Sequence, residues 1–395
     1  MSASEHQSAE RYDLLLKGGH VIDPANQIDR TMDVAVTGNR IAAVAPDIPA
    51  SRAKKAVSVE GLIVTPGLID IHTHVYGGYR GWMFPDEHAL PNGVTTVVDT
   101  GGAGWKKFEE FKDTIIAQST TRVLAFINIV GAGMLGAVEQ DVSEMDPVPC
   151  AEMIAKYPDC VVGSKTAHFA GPGWEAVDGA VEAARLSGTI TMIDFAPKPT
   201  RSYRELILEH MRPGDIHTHM YAQHIPLLNE QGKVNDYVRE ARAQGIIFDV
   251  GHGAGSLWFR IAVPALQQGF VPDSISTDLH KYSAFIPNAT MPVTMSKFLN
   301  MGMSLQEVVL RSTVNPARVI RRPELGTLNV GAEADIAVFE VLRGDFGFVD
   351  SGHAKLRGNQ RLQGVLTVRA GKIVWDLNGL SWPDWKTAGQ YGVIQ

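Results

Sequence analysis

An α/β fold, a parallel (β/α)8 barrel carrying a small discontinuous β-sandwich domain built from the two chain ends, is predicted by three features of the sequence. Eight apolar, β-rich runs recur at intervals of roughly 30 residues, the size of a strand-plus-helix unit. Short strands joined by glycine turns are confined to the two ends of the chain. Side chains of metal-binding type gather at the C-terminal tips of the central runs.

At the N-terminal end, YDLLLKGGHVID, MDVAVTGNRIAAVA and AVSVEGLIVTPG read as short strands with tight turns. GTLNVGAEADIAVFEV and GVLTVRAGKIVWDLNG repeat that grammar near the other end, and TGNRI and AGKIV each supply glycine where a hairpin needs positive φ. Residues 1–66 and 326–395 are therefore assigned to the sandwich domain and 67–325 to the barrel. The barrel runs begin near Leu68, Thr95, Arg122, Cys160, Thr189, Asp215, Ile247 and Ser274. Between them, AEMIAKYP, WEAVDGAVEAARLSG and KVNDYVREARAQG carry helical periodicity and end at Gly or Pro.

Composition narrows the function classes. Apolar residues at 45% and charged residues at 20% describe an ordinary globular chain. A net charge of −7, with no basic run longer than Arg321–Arg322, argues against nucleic acid and for a small-molecule partner. Cys150 and Cys160 have neither CxxC spacing nor the density of a secreted scaffold. No signal peptide is readable, because LLL is stopped by Lys17, and the cytoplasm is the expected location. VLAFINIVGAGMLGAV is too short to span a membrane and contains Asn128, so it reads as a buried strand followed by a loop.

In a barrel of this kind the C-terminal strand ends carry the chemistry. Here the first run ends in His72 and His74, the fourth in Lys165, the fifth in Asp194, the sixth in His217 and His219, the seventh in His252, and the eighth in Asp278 followed by His280. Residues i and i+2 of a strand share a face, so each HxH pair is expected to point at the barrel mouth. Imidazole with carboxylate suits Zn, Mn, Fe or Ni. Taken singly, each residue has a plainer reading: a histidine hydrogen-bonded in the core, an ion-paired Lys165, or Asp194 as a helix cap ahead of Pro197. Taken together, they predict a metal site built on His72, His74 and Asp278.

The ordered set PGLIDIHTH, VVGSK, FDVGHGAGS, PDSISTDLH, TMSKFL and NPARVI resembles the amidohydrolase superfamily of metal-dependent hydrolases, in particular its deacetylase and dihydroorotase-like branch. The likeness spans about residue 12 to residue 375. It implies that Lys165 is carboxylated by CO2 to a carbamate bridging two divalent ions, with zinc the expected metal. One ion is then held by His72, His74, Lys165 and Asp278, the other by Lys165, a fifth-strand ligand and His219. That family usually has histidine at the end of the fifth strand, whereas this chain has Asp194. Asp194 is favoured as the ligand, with His252 as the substitute if one ion alone is held. A homo-oligomer is also implied.

Two cations beside one water bring its pKa toward about 7, so that hydroxide attacks an acyl carbonyl at neutral pH. Asp278 is the expected proton shuttle. His252, His168, Tyr76 and His280 are expected to contact substrate or to support the ligands, and Tyr76 and Tyr79 are candidate lid residues. Dihydroorotases usually carry arginine two residues after the second histidine, where this chain has Tyr76. The expectation is therefore hydrolysis of an amide or ester bond in an N-acyl amino acid or O-acyl hydroxy acid. The alternatives are a cyclic amidase of dihydroorotase or hydantoinase type and a catalytically silent scaffold.

Overall fold

The computed structural model describes residues 12–390. Residues 1–11, where any signal peptide would begin, and 391–395, both assigned to the sheet-forming ends, lie outside the described residues.

The N-terminal end forms β1 (Tyr12–Asp23), β2 (Ile28–Thr37), β3 (Arg40–Ala45), β4 (Ala53–Ser58) and β5 (Ile63–Pro66). The barrel strands follow as β6 (Leu68–Thr73), β7 (Val94–Gly104), β8 (Arg122–Asn128), β9 (Val161–Thr166), β10 (Ile190–Ile193), β11 (Ile216–His217) and β12 (Ile247–Phe248). The chain then returns to the first sheet as β13 (Ile336–Val349), β14 (Lys355–Arg369) and β15 (Lys372–Asp376).

The two chain ends do share a sheet. Its order is β15-β14-β13-β5-β1-β2-β3, with β4 added on β1, and the two ends meet where Val64 of β5 pairs antiparallel with Val338 of β13. The expected sandwich would be two stacked sheets; the ladders instead join every strand of this region into a single sheet. Val21, Val34, Val36, Val64, Ile336, Val338, Leu366 and Val368 form its own buried core. The two glycine turns compared above touch each other. A Cβ on Gly371, at φ +81°, would overlap the carbonyl oxygen of Gly38, so only glycine allows that approach.

Strands β6 to β12 pair parallel in chain order. Alternate side chains, among them Ile69, Ile71, Val98, Leu124, Val162, Met192 and Ile216, fill the barrel interior as one cluster. Val97, Ala125, Ile127, Val161 and Ile193 face the helices outside. The three segments read as helical are helices at Pro147–Lys156, Glu175–Leu186 and Asp236–Ala243. The eighth run makes no ladder of its own. It closes the barrel through single parallel bridges, Asp249 with Ser274 and Thr73 with Leu279. Side chains reinforce this seam: Asp70 accepts from Thr277 N and Oγ1, and Asp249 accepts from Ser274 Oγ and Ser276 Oγ. Burial pushes the Asp70 carboxyl up to about 7, against the opposing pull of the Thr277 bonds. No helix among the described residues is long and apolar enough to cross a membrane.

Candidate metal centre

Above the apolar barrel filling, the strand ends enclose a small chamber of about 50 Å³, room for an ion with a water beside it. His72, His74, Tyr79, Lys165, His168, Asp194, His219, Asp278 and His280 all line it. Ligand atoms of His72, His74 and Asp278 lie within 4.8 Å of one another, the spacing of a candidate metal site. His74 Nε2 is 3.0 Å and His72 Nε2 is 3.6 Å from Asp278 Oδ1. On the far side, Asp194 Oδ2 lies 3.6 Å from His219 Nε2 and 3.8 Å from His168 Nε2.

Hydrogen bonds fix which imidazole nitrogen faces the chamber. Thr218 Oγ1 donates its one proton to Asp249 Oδ2 at 2.8 Å, so it can only accept from His72 Nδ1, also at 2.8 Å. The carbonyl of Gly251 likewise accepts from His219 Nδ1 at 2.7 Å. In each neutral ring Nδ1 therefore carries the proton, and Nε2 is the chamber-facing nitrogen available to a metal. Burial, with the Lys165 charge adding to it, holds the His72 imidazole well below its usual range. Burial also pushes Asp278 and Asp194 upward, but the imidazoles around each outweigh it and leave both carboxyls below the ordinary carboxylate range.

Lys165 is fully buried among these groups, and its Nζ has no hydrogen-bond partner among the described residues. Burial lowers its pKa, against the pull of Asp194 and Asp278. A buried amine left without a hydrogen-bond partner costs on the order of 1–3 kcal/mol or more. With the imidazoles and carboxylate of His72, His74 and Asp278 grouped beside Lys165, the residues present fit a divalent metal centre.

The backbone here is unusual. His168, His219 and Asp278 adopt left-handed conformations, at φ +57°, +62° and +45°, a strained state for residues with a Cβ that recurs at functional sites. One consequence corrects the expected geometry of the second HxH pair. β11 ends at His217, and the reversal at His219 breaks the alternation. His217 turns outward against Tyr203 and Phe248, at 5.0 and 5.9 Å between ring centroids, while His219 alone enters the chamber.

Two further candidates lie behind the chamber wall. His252 is fully buried, with Lys297 Nζ 2.6 Å from its Nε2, and does not line the chamber. Its neighbour Gly253, at φ +50°, presses on the proposed shuttle, since a Cβ there would overlap Asp278 Oδ2. Tyr76 packs on Phe111 and its hydroxyl bonds Glu110, while Asp99 accepts from the Tyr76 backbone NH. It is Tyr79, over His74 at 4.9 Å, that lines the chamber. Thr218 and Asp249 escaped the sequence reading, although Thr218 stands between the paired histidines and Asp249 in the same FDVGH phrase as His252.

The chamber opens into a cavity of about 340 Å³ bounded by Asp194, His219, Asp278 and His280 at one end. Phe169, Phe195, Lys198, Arg201, His224 and Ser256 supply walls from the loops after the fourth to seventh strands. A small molecule of about ten to twenty heavy atoms fits such a space.

A model of the amidohydrolase family matches residues 259–374. Over 334 residues the chain is 32% identical to a deacetylase of Agrobacterium fabrum, covering 81% of this chain and 81% of that protein. Among solved structures it is similar to an adenine deaminase, with TM-score 0.85 and 28% identity over 92% of this chain and 99% of that one. A dihydroorotase superposes with TM-score 0.81 and 29% identity over 92% and 97% of the two chains.

Proposed function

Because this chain belongs to the amidohydrolase family of hydrolytic enzymes, we propose that it is a deacetylase-like hydrolase that cleaves an amide or ester bond of a small acylated molecule. The observation that carries this reading is the unpartnered Lys165 between two histidine–carboxylate sets, at the closed end of a cavity sized for a small substrate.

His72, His74, Lys165 and Asp278 would hold one divalent ion; Lys165, Asp194 and His219 would hold the second. Zinc is the proposed metal, and a carbamate on Lys165 the proposed bridging form. When bound, such ions polarise an acyl carbonyl and make water a nucleophile near neutral pH. The protein's own groups do the rest. Asp278, held in its ionised form by the histidines around it, accepts the proton released as water adds and returns it to the departing amine or alkoxide. His72 and His219 are kept in the required tautomers by Thr218 and Gly251. Phe169 and Phe195 make the approach apolar and exclude bulk water from it. His168 and His280 border the reacting end and are proposed to contact substrate; His252 supports the loop that carries Gly253. Tyr76, turned to Glu110, supplies no cation at the position where a ring amidase would need arginine, which favours an acyclic substrate.

The same proposal takes residues 67–325 as the catalytic domain and 1–66 with 326–395 as its companion, and includes a homo-oligomeric, cytoplasmic enzyme. Assay of metal-loaded protein on N-acetyl amino acids and O-acetyl hydroxy acids beside dihydroorotate and hydantoin tests the substrate class. Turnover of the acyclic compounds supports it; turnover of the rings alone overturns it.

A further inference from the structure

The cavity is electrically lopsided. Its two acidic lining residues, Asp194 and Asp278, both belong to the chamber end, whereas Lys198 and Arg201 stand together on the loop after the fifth strand. These two cations are not equivalent. Arg201 is 1% exposed and turns both terminal nitrogens to the backbone, donating through Nη2 to Phe169 O at 2.6 Å and through Nη1 to Gly173 O at 3.2 Å, with Nε buried and unpartnered among the described residues. It also stacks on both Phe169 and Phe195, at 5.3 and 5.1 Å from their ring centroids. Arg201 is thus a strut tying the loops after the fourth and fifth strands into one wall.

Lys198 stands on that strut. Its backbone NH donates to Arg201 O at 3.0 Å, and Arg201 N donates to Lys198 O at 3.1 Å, so the two residues close a tight turn over Pro199 and Thr200. Thr200 Oγ1 fastens the turn to Pro172 O at 2.7 Å. Among the described residues no carboxylate pairs with the Lys198 ammonium, which lines the cavity at its solvent side. Of the histidines there, His168 is bonded to Glu139 at 2.9 Å, His219 and His280 border the acidic chamber end, and burial holds His224 below the usual imidazole range.

We infer that Lys198 is the specificity-determining residue for a carboxylate on the substrate, binding an anionic group at the cavity's outer end while the acyl carbonyl lies at the chamber end. The inference rests on the acyl-hydrolase reading and names the substrate class of that site as N-acyl amino acids or O-acyl hydroxy acids with a free acid group. An ammonium held on a braced turn and unpaired in the free protein offers a carboxylate a charge-assisted hydrogen bond without first breaking another. Discrimination of about tenfold between a charged ligand and its neutral isostere is the ordinary yield of one such contact.

The test compares an N-acetyl amino acid with its carboxamide, using metal-loaded enzyme as wild type, Lys198→Ala and Lys198→Arg. Expected is an acid-to-amide ratio in kcat/KM of about ten or more for the wild type, carried in KM. The ratio falls toward one in Lys198→Ala and is largely restored in Lys198→Arg, and added salt lowers it in the wild type. Hydrolysis of both compounds by the wild type with equal kcat/KM, or an undiminished ratio in Lys198→Ala, overturns the role of Lys198 while leaving the acyl-hydrolase reading intact. Failure of the wild type to hydrolyse either compound, and likewise an O-acetyl hydroxy acid and its carboxamide, overturns that reading, and this inference with it.

Discussion

His74 Nε2 lies 3.0 Å from Asp278 Oδ1 across the seam that closes the barrel, where the first and eighth strands are joined by the single bridge of Thr73 with Leu279. The weakest part of the strand ladder is thus where the two parts of the candidate metal site meet. Carboxylate and hydroxyl side chains beneath it, Asp70 with Thr277 and Asp249 with Ser274 and Ser276, hold the seam in register.

Thr218→Val removes the hydroxyl that accepts from His72 Nδ1 and donates to Asp249. The ring loses its fixed tautomer while its packing volume is kept. Zinc affinity, measured by competition with a chromophoric chelator, is expected to fall about 10- to 100-fold. Unchanged affinity would mean that His72 needs no such support.

Gly253→Ala puts a methyl group against Asp278 Oδ2 at a residue whose φ is +50°. Displacing the proton-carrying carboxylate by a fraction of an ångström is expected to lower kcat about 100-fold. Far-ultraviolet circular dichroism of the variant should match the wild type, so that the loss reports the site and not the fold.

Lys165→Met replaces the unpartnered buried amine with an apolar side chain of similar length. Two opposite effects are expected. The metal-free variant melts a few degrees above metal-free wild type, because an uncompensated buried polar group costs about 1–3 kcal/mol, and turnover is lost. Calorimetry together with the acyl-hydrolase assay separates this from a general defect, which would lower both.

His88 gives a pH prediction away from the chamber. Burial lowers its imidazole to about 4, against the opposing pull of the Phe84 carbonyl on Nδ1 and the Asp86 charge. A folded-state value below the unfolded one, about 6.5, means that the unfolded chain binds the proton more readily. The contribution of His88 is therefore fully present above pH 6.5 and is lost as pH falls toward 4, up to about 3 kcal/mol. Denaturant titrations should find the fall in stability over that window shallower in His88→Leu than in the wild type.

Much of the chamber was legible because a parallel barrel gathers strand ends that are far apart in sequence. Naming the tips of the runs was enough to bring His72, His74, Lys165, Asp194, His219 and Asp278 to one chamber. What escaped depended on geometry that residue types do not encode. β11 ends at His217, and the left-handed turn at His219 sends the two histidines of one HxH pair to different layers. His252 is drawn away by Lys297, a contact between segments that neither announces. The outer walls come from loops, where Arg201 ties Phe169 to Phe195 with no periodicity to betray it. The end strands were read correctly as strands, but alternation alone does not say whether they stack as two layers or join through β5 and β13.

The central claim, that this cluster is a metal centre driving acyl hydrolysis, is tested most directly by titrating metal-free protein with zinc while counting bound ions and measuring hydrolysis of an acetylated amino acid. Turnover is expected to rise from zero as about one to two ions bind per chain. Asp278→Asn, folded as judged by circular dichroism, should lose about 1000-fold or more of that activity. Hydrolysis that proceeds without bound metal, or that survives in Asp278→Asn, would contradict the account.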